Sequence, residues 1–350
     1  MKKYLVKLVV LSLVFSGLVS FGSVSLAQEM SFISQYTSPV EYEEATGKEI
    51  SEFSEAPQLA ELVERGELPP LEERLPEEPL VVMPTEEGGK YGGDWRTIVL
   101  GVADNAWLQR TVDYEGLVRW APDFNTVVPN LAKSWEITDE GRTFTFYLRK
   151  GMKWSDGEPF TADDIVFWYE DILLNEDLTP TFPKWLTTGE QPVEVEKVDD
   201  YAVRFKFTQP NGLFLQRLAT PDGLGLIVPK HYMKQFHPKY TPEEKLEEMV
   251  KEEQLTDWFS LFGNKNTWWL NPERPTLFAW RSINILGAGP RYIWERNPYY
   301  WKIDPDGNQL PYLDRVVFDI VENAEVALMK ALNGEIDMHS RHFNIMQNYT

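Results

Sequence analysis

The chain has 350 residues, no cysteine and a formal net charge of −21, with 43% hydrophobic and 13% aromatic residues. This length exceeds one ordinary hydrophobic core, so two or more lobes are expected. The lack of cysteine excludes disulfides, thiol catalysis and thiolate metal sites, and the acidic balance disfavours nucleic acid and anionic lipid as partners.

Residues 1–27 have the pattern of a secretory signal peptide. MKKYLVK is basic, an apolar run follows, and Ser25-Leu26-Ala27 is a small-x-small cleavage site. The alternative is an uncleaved anchor, because the apolar run approaches the length that spans a bilayer. Its frequent Ser and Gly residues favour export with cleavage. With no cysteine near the cut, we expect no lipid anchor and a protein that is free in a periplasmic or other extracytoplasmic compartment.

Residues 28–88 form an acidic N-terminal extension in which glutamate dominates. Leu59, Leu62 and Val63 fall on one helical stripe, and Gly66 stands at the C-cap position with prolines just beyond it. We therefore predict a short helix followed by an extended arm that lies on the main body. A solvated linker is the alternative.

After residue 88 the pattern becomes that of a globular domain. GGKYGGDWRTIVL predicts a short strand, and its glycines are a weak phosphate-loop signal because no Gly-Lys-Ser/Thr follows. SWEIT and TFTFYLR predict one hairpin, and VEVEKV and YAVRFKF predict another. TPEEKLEEMV predicts a helix with a capping box, in which Thr241 is the N-cap, Pro242 is N1 and Glu244 is N3.

The end of the chain predicts the start of a βαβ unit. RVVFDIV is a nearly continuous apolar strand of the kind that is buried on both faces. AEVALMKALNGEID predicts a short helix that ends at Gly334, and residues 336–338 predict the next strand. A parallel sheet needs more strands than this segment holds, so we expect the sequence to be truncated after Thr350.

The stretch RKGMKWSDGEPFTADDIVFWYE, residues 149–170, contains five carboxylates. Asp156-Gly157 is typical of a turn, and Thr161 is expected to cap a helix whose first turn holds Asp163 and Asp164. A glycosidase pair needs one acid of raised pKa, and nothing in this stretch supplies the apolar pocket that raises it. We therefore interpret these acids as structural.

Other catalytic and metal patterns are weak. The four histidines form no H-E-x-x-H motif, and there is no G-x-S-x-G elbow. His339 and His342 are interpreted as a surface pair without a third metal ligand. Residues 304–308 look like half a calcium loop, but position 12 is Arg315, so a tight turn explains them better. We predict no catalytic residues, no metal and no cofactor.

Aromatic residues are the most conspicuous feature of the second half. Six of the thirteen tryptophans fall between Trp258 and Trp301. Most tryptophans belong to the core or its rim, but their flat faces and N–H donors also suit a ligand cleft. The candidate ligand contacts, each set against a core role, are Trp107, Tyr114, Trp268, Trp269 and Asn284.

The run LAKSWEITDEGRTFTFYLRKGMKWSDGEPFTADDIVFWYEDIL resembles the signature region of family 5 extracellular solute-binding proteins. Further similarity lies in VDYEGLVRW, in GAGPRYIWERNPYYWKIDPDGNQLPYLDRV and in ALNGEIDM. The acidic arm resembles the extension of a long-chain branch of that family. The similarity covers about residues 57–340, and the separated motifs appear in the expected order.

The resemblance implies an α/β, periplasmic-binding-protein type II-like fold with two hinged lobes and a β-rich subdomain inserted in lobe I. By analogy, residues 89–105 and 199–312 form the lobe I core and residues 106–198 form the insert. Residues 313–350 only begin lobe II, so the second lobe is largely missing. The acid that meets a peptide's amino terminus in such receptors lies in lobe II, so no residue here inherits that role.

The expected function is a substrate-binding receptor of an ABC importer, which captures a solute between two lobes and delivers it to membrane permease subunits. An oligopeptide is the first hypothesis, and the density of tryptophan makes an oligosaccharide the alternative. The receptor is expected to be a monomer and not an enzyme. Hypotheses from other classes are a secreted glycan hydrolase and a scaffold or chaperone-like envelope protein.

Overall fold

A computed structural model describes residues 34–343 of the chain. In this part, alternating apolar residues form two four-stranded sheets. The predicted signal peptide, residues 1–27, lies outside the described residues. The strands are β1 (Gln35–Tyr36), β2 (Leu80–Val82), β3 (Asp94–Leu100), β4 (Val118–Trp120), β5 (Val127–Pro129), β6 (Ala132–Thr138), β7 (Thr143–Leu148), β8 (Thr187–Thr188), β9 (Gln191–Pro192), β10 (Glu194–Asp199), β11 (Ala202–Lys206), β12 (Trp280–Ser282), β13 (Arg291–Arg296), β14 (Lys302–Ile303) and β15 (Arg315–Val321).

The helices are short and are separated by loops and 3₁₀ turns. No helix within residues 34–343 is long and apolar enough to cross a bilayer. The α-helices are α1 (Pro39–Thr46), α2 (Pro57–Glu64), α3 (Leu71–Arg74), α4 (Asn105–Thr111), α5 (Ala162–Phe167), α6 (Phe214–Leu218), α7 (Lys230–Met233), α8 (Glu243–Glu252), α9 (Trp258–Asn266) and α10 (Ala324–Leu332).

The first sheet has the strand order β10-β11-β7-β6, and all of its neighbours are antiparallel. Both predicted hairpins are confirmed. Phe144, Phe146, Val203 and Phe205 all point into the largest hydrophobic cluster. The predicted boundary at residue 198 is corrected by this topology. It cuts the sheet, because β11 lies beyond that boundary and pairs with both β10 and β7.

The second sheet has the order β12-β13-β15-β3, in which β15 lies parallel to β3 and antiparallel to β13. The boundary at residue 312 is therefore also corrected, since β15 pairs with the first-lobe strand β3. Burial along β15 alternates, with Val316 and Phe318 buried and Val317 partly exposed, so the prediction of burial on both faces is wrong. Helix α10 is confirmed. Residues 336–338 form no strand, although the Asp337 N–H donates to the Arg96 carbonyl at 2.9 Å.

The acidic extension is packed on the body rather than solvated. Helix α2 follows the predicted stripe, and β2 pairs with β1 and, in parallel, with β14. The guanidinium of Arg149 donates to the carbonyls of Thr37, Glu78 and Asn130, which ties the arm to the first sheet. The buried Arg74 adds contacts to Glu55 and to the Pro298 carbonyl.

One of the two predicted helix caps is confirmed. The Thr161 hydroxyl accepts from the Asp163 N–H, and the Asp164 carboxylate accepts from the Thr161 N–H, which is a capping box. The cap predicted at Thr241 is wrong, because α8 begins at Glu243 and the Thr241 hydroxyl donates instead to the Gln235 carbonyl.

Candidate functional site: a tryptophan-lined cleft beside helix α4

The chain reverses at the carboxyl end of β3, where the loop 101–104 leads into α4. Ligands of open α/β sheets bind outside the carboxyl ends of parallel strands, so this edge is where a site is expected. The loop 283–290 lies close by, since a Cβ on Gly287 would come within 2.6 Å of Val102. The Leu286 N–H donates to the Trp269 carbonyl at 3.0 Å, which brings the tryptophan pair to the same edge.

A cleft of about 260 Å³ opens between α4, the loop that follows α6, and the segment after α9. We call it the Trp268 cleft. Its wall contains acidic and basic side chains and the indoles of Trp268 and Trp269. The lining residues are Gln109, Asp113, Glu115, Pro221, Leu224, Gly225, Ile227, Val228, Asn266, Thr267, Trp268, Trp269, Arg274 and Phe278.

Trp268 and Trp269 meet edge to face, with ring centroids 4.8 Å apart and planes at 89°. Trp268 is buried and also packs against Trp294 and Phe278, so its ring is a structural wall of the cleft. Trp269 is only partly buried, and its indole is therefore the one of the two that has surface left for a ligand.

Asp113 is the buried acid of the cleft. Its carboxylate accepts a hydrogen bond of 2.7 Å from the Trp268 indole N–H. Burial raises the pKa of Asp113 to about 7, although the Trp268 hydrogen bond and the charge of Arg274 act in the opposite direction. A carboxyl group in this state can accept a hydrogen bond from a hydroxyl or an ammonium group of a ligand.

Arg274 supplies the opposite charge and is held rigidly. Its guanidinium donates to the Asn266 side chain at 3.0 Å and to the Ile227 carbonyl at 3.1 Å. Burial lowers the pKa of Arg274 to about 10, still far above neutral pH, so the group stays charged. The cleft thus combines one partly exposed indole, a buried acid and a buried cation, a set suited to orienting a polar solute.

The five predicted contacts do not form one site. Trp268 and Trp269 line the Trp268 cleft, whereas Tyr114 lines a larger neighbouring cleft and donates its hydroxyl to the Ala219 carbonyl at 2.8 Å. Trp107 is buried against the His339 ring. The Asn284 amide bridges the Arg291 carbonyl and the Ile293 N–H within the β12–β13 turn, so its polar atoms already serve the backbone.

Sequence reasoning missed Gln109, Asp113 and Arg274. The only local signal was Asp113 itself, an acid that stands two residues after the end of α4, between Val112 and Tyr114. Arg274 carries no such signal, because only the fold brings it to Asp113.

The carboxylates of residues 149–170 lie elsewhere and have structural roles. Asp156 pairs with His231 at 2.8 Å, and Glu158 is exposed. We expected nothing in this stretch to supply an apolar pocket that raises the pKa of an acid. This is wrong for Asp164, because burial raises its pKa to about 6. Both of its oxygens nevertheless accept backbone N–H groups, from Thr161 at 3.0 Å and Lys230 at 2.9 Å, which leaves it no free role in acid catalysis.

The two remaining motifs are local packing features. The histidine pair is partly buried rather than on the surface, with His339 at 3.0 Å from the Thr97 hydroxyl and His342 at 2.6 Å from Asp104. The turn predicted at residues 304–308 is confirmed, since Asp304 accepts from the N–H groups at 306 and 308. Within residues 34–343 no cluster of three or more His, Asp or Glu side chains is arranged to hold a metal.

Comparison with known proteins identifies the relatives of this chain. The family model of bacterial extracellular solute-binding proteins, family 5 middle, matches residues 126–345. The periplasmic alpha-galactoside-binding protein of Rhizobium meliloti is 32% identical over 298 residues, which are 78% of this chain and 40% of that protein. The dipeptide-binding protein of Escherichia coli is 28% identical over 239 residues, covering 63% of this chain and 38% of that protein.

Solved structures agree with this relationship. One named oligopeptide-binding protein OppA has a TM-score of 0.83 at 49% identity, covering 88% of this chain and 48% of that chain. The periplasmic binding protein MelB of Agrobacterium fabrum, in complex with stachyose, has a TM-score of 0.68 at 33% identity, covering 82% and 44%. The chain thus spans less than half the length of these proteins. Because the family model matches more than half of the chain, this protein belongs to the bacterial extracellular solute-binding proteins of family 5.

Proposed function

We propose that this protein is the extracytoplasmic substrate-binding receptor of an ABC importer. It captures a solute and passes it unchanged to the membrane permease subunits. The observation that carries this proposal is the Trp268 cleft at the sheet edge, in a chain that belongs to family 5. Of the acids considered as catalytic candidates, Asp164 caps helix α5 and Asp156 pairs with His231, which supports binding rather than turnover.

An oligopeptide is the first solute class that we propose. The relative with 49% identity over 88% of this chain is named as an oligopeptide-binding protein. In the Trp268 cleft the carboxyl group of Asp113 is a partner for an ammonium group, and Trp269 offers apolar surface to a side chain. A micromolar affinity corresponds to about −8 kcal/mol, which a few such contacts can supply.

An oligosaccharide is the second class, and a specific observation favours it. A partly exposed indole beside a carboxyl and an amide group suits a sugar ring, because the ring stacks on the indole and its hydroxyls bond to the polar groups. Two of the relatives are named for an alpha-galactoside or are seen with stachyose.

Isothermal titration of the full-length protein with di- to pentapeptides and with α- and β-linked oligosaccharides separates the two classes. Heat with peptides alone supports the first class, and heat with sugars alone overturns it. Trp269→Ala is expected to weaken binding of the active class at least tenfold, whereas Trp135→Ala, a partly buried indole on β6, leaves it unchanged. Equal affinity in the two variants would place the solute outside the Trp268 cleft.

The hydrolase and scaffold hypotheses make different predictions. A hydrolase shortens the oligosaccharide during incubation, which chromatography of the recovered sugar detects. For a scaffold, no small solute raises the melting temperature. We further propose that the receptor acts as a monomer outside the cytoplasm, which light scattering and fractionation of the source cells test.

A further inference from the structure

A second cleft, of about 530 Å³, lies at the other end of the parallel strands. One wall is the segment 310–313, which leads directly into β15, and the first residue of β15, Arg315, pairs with Asp94 at the start of β3. The second cleft therefore lies at the amino edge of these strands, whereas Trp269 lies near their carboxyl edge. Glu115 is the single residue that lines both clefts.

Glu115 cannot serve as a charge partner for a ligand in the second cleft. Its carboxylate already accepts from Lys302 Nζ at 2.9 Å, from the Tyr300 hydroxyl at 2.7 Å and from the Asn130 amide at 2.8 Å. These three donors occupy both of its oxygens. The negative charge of Glu115 is thus balanced first by Lys302, its ion-pair partner.

Two further cations line the same cleft, Arg110 and Arg119. In the part of the chain that the structure describes, neither guanidinium makes an ion pair or a side-chain hydrogen bond, unlike Arg96, Arg291 and Arg315, which all pair with aspartate. Neither arginine has an acid at ion-pair distance among the described residues, although the charge of Arg119 also acts on Glu115. They give the second cleft a local positive charge that suits an anion.

The remaining wall of the second cleft is largely apolar and aromatic. Trp280 is held in place by a hydrogen bond of 3.2 Å from its indole N–H to the Leu313 carbonyl. A bare inorganic anion would leave such a wall without contacts, whereas a ring or short aliphatic group would cover it. The apolar and aromatic lining consists of Val112, Tyr114, Ala279, Trp280, Tyr300, Leu310, Pro311, Tyr312 and Leu313.

We propose that the second cleft is a binding site for a small organic acid, with its carboxylate on Arg110 and Arg119 and its apolar body against the aromatic wall. The planar guanidinium fork matches a carboxylate, and the cavity volume lies in the range of small-molecule sites. The site is separate from the one at which we propose solute capture.

Titration of the full-length protein with benzoate, benzamide and inorganic phosphate tests this site. Benzoate and benzamide share a shape and differ in charge, so benzoate is expected to bind at least tenfold more tightly. Arg119→Gln and Arg110→Gln are each expected to weaken benzoate binding about tenfold or more, as expected for a lost charge-assisted hydrogen bond. Arg217→Gln, which removes an exposed arginine paired with Asp222, leaves benzoate binding unchanged.

Three results would overturn the proposal: no binding of benzoate, equal binding of benzamide, or phosphate binding as tight as that of benzoate. Both arginine variants should keep the circular dichroism spectrum of the parent. They should also keep its affinity for the peptide or sugar found by the earlier titration, so that failure at one site is distinguishable from failure at the other.

Discussion

Lys302 and Glu115 form a buried ion pair, with Nζ 2.9 Å from Oε2, although they lie 187 residues apart in the chain. Lys302 belongs to β14, the strand that holds the N-terminal arm, and Glu115 follows α4 and lines both clefts. Burial lowers the pKa of Lys302 to about 8, with Glu115 opposing that shift. Burial would raise the pKa of Glu115, but Lys302 and Arg119 keep it below its usual value.

Replacing one member of this pair is expected to destabilise the protein strongly. Lys302→Met leaves the Glu115 charge buried without its partner, which costs roughly 3–5 kcal/mol of unfolding free energy. Urea denaturation measures this change. The double variant Lys302→Met/Glu115→Gln removes the uncompensated charge and should recover most of the loss. A double variant no more stable than the single one would contradict the pairing.

The raised pKa of Asp113 predicts a stability that falls as pH rises. Below about pH 3 the group is mostly protonated in both the folded and the unfolded protein. Between the unfolded value of 3.8 and the folded value of about 7, only the unfolded chain releases the proton, so the free energy of unfolding decreases with pH. Above pH 7 the loss is complete.

Asp113→Asn removes this dependence and keeps an oxygen for the Trp268 indole. Relative to the parent, the variant should gain unfolding free energy as the pH rises from about 4 to about 7, by roughly 1 kcal/mol for each pH unit, and no more above pH 7. Melting temperatures at several pH values measure the gain. Asp177→Asn, at an exposed position, is the control and should track the parent throughout. A constant difference between Asp113→Asn and parent across this range would refute the assignment.

The cap at Thr161 predicts a stability effect of a defined size. Thr161→Ala leaves the Asp163 N–H without its acceptor and should cost roughly 0.5–2 kcal/mol of unfolding free energy, with solute binding intact in the protein that remains folded. Chemical denaturation and titration measure the two effects. Thr138→Ala, at an exposed position at the end of β6, serves as the control. Unchanged stability would show that the acids that follow Thr161 have another purpose.

The buried Arg74 predicts that the acidic arm detaches when its anchor is removed. Arg74→Leu leaves the Glu55 carboxylate and the Pro298 carbonyl without this donor, at roughly 1–3 kcal/mol. Hydrogen exchange in residues 34–88 should rise ahead of exchange in the two four-stranded sheets. Arg65→Leu breaks only an exposed pair with Glu67 and is expected to change stability by less than about 1 kcal/mol. Similar exchange in both variants would mean that Arg74 does not hold the arm.

Local patterns in the sequence were sufficient to predict those helices and strands whose stabilising contacts join residues close together in the chain. The two hairpins follow from strict alternation around short turns, and helix α5 follows from a cap and its partner three residues apart. Thr241 shows the limit of such patterns. Its sequence context predicts a capping box, but in the structure the Thr241 hydroxyl donates to the Gln235 carbonyl instead. Helix propensity alone does not predict this contact.

The sequence by itself determined the family, the hairpins, the capped helix and the absence of thiol chemistry, because each depends on residue identity or on neighbours in the chain. Only the tertiary structure decided that β11 and β15 extend sheets across the predicted lobe boundaries and that Trp268 is buried in the wall of the cleft while Trp269 keeps exposed surface. It also decided that Asp113 and Arg274 line the same cleft. Burial and charge pairing arise between residues far apart in sequence. A tryptophan or an aspartate therefore has the same appearance in the chain whether it will pack in a core or line a cleft.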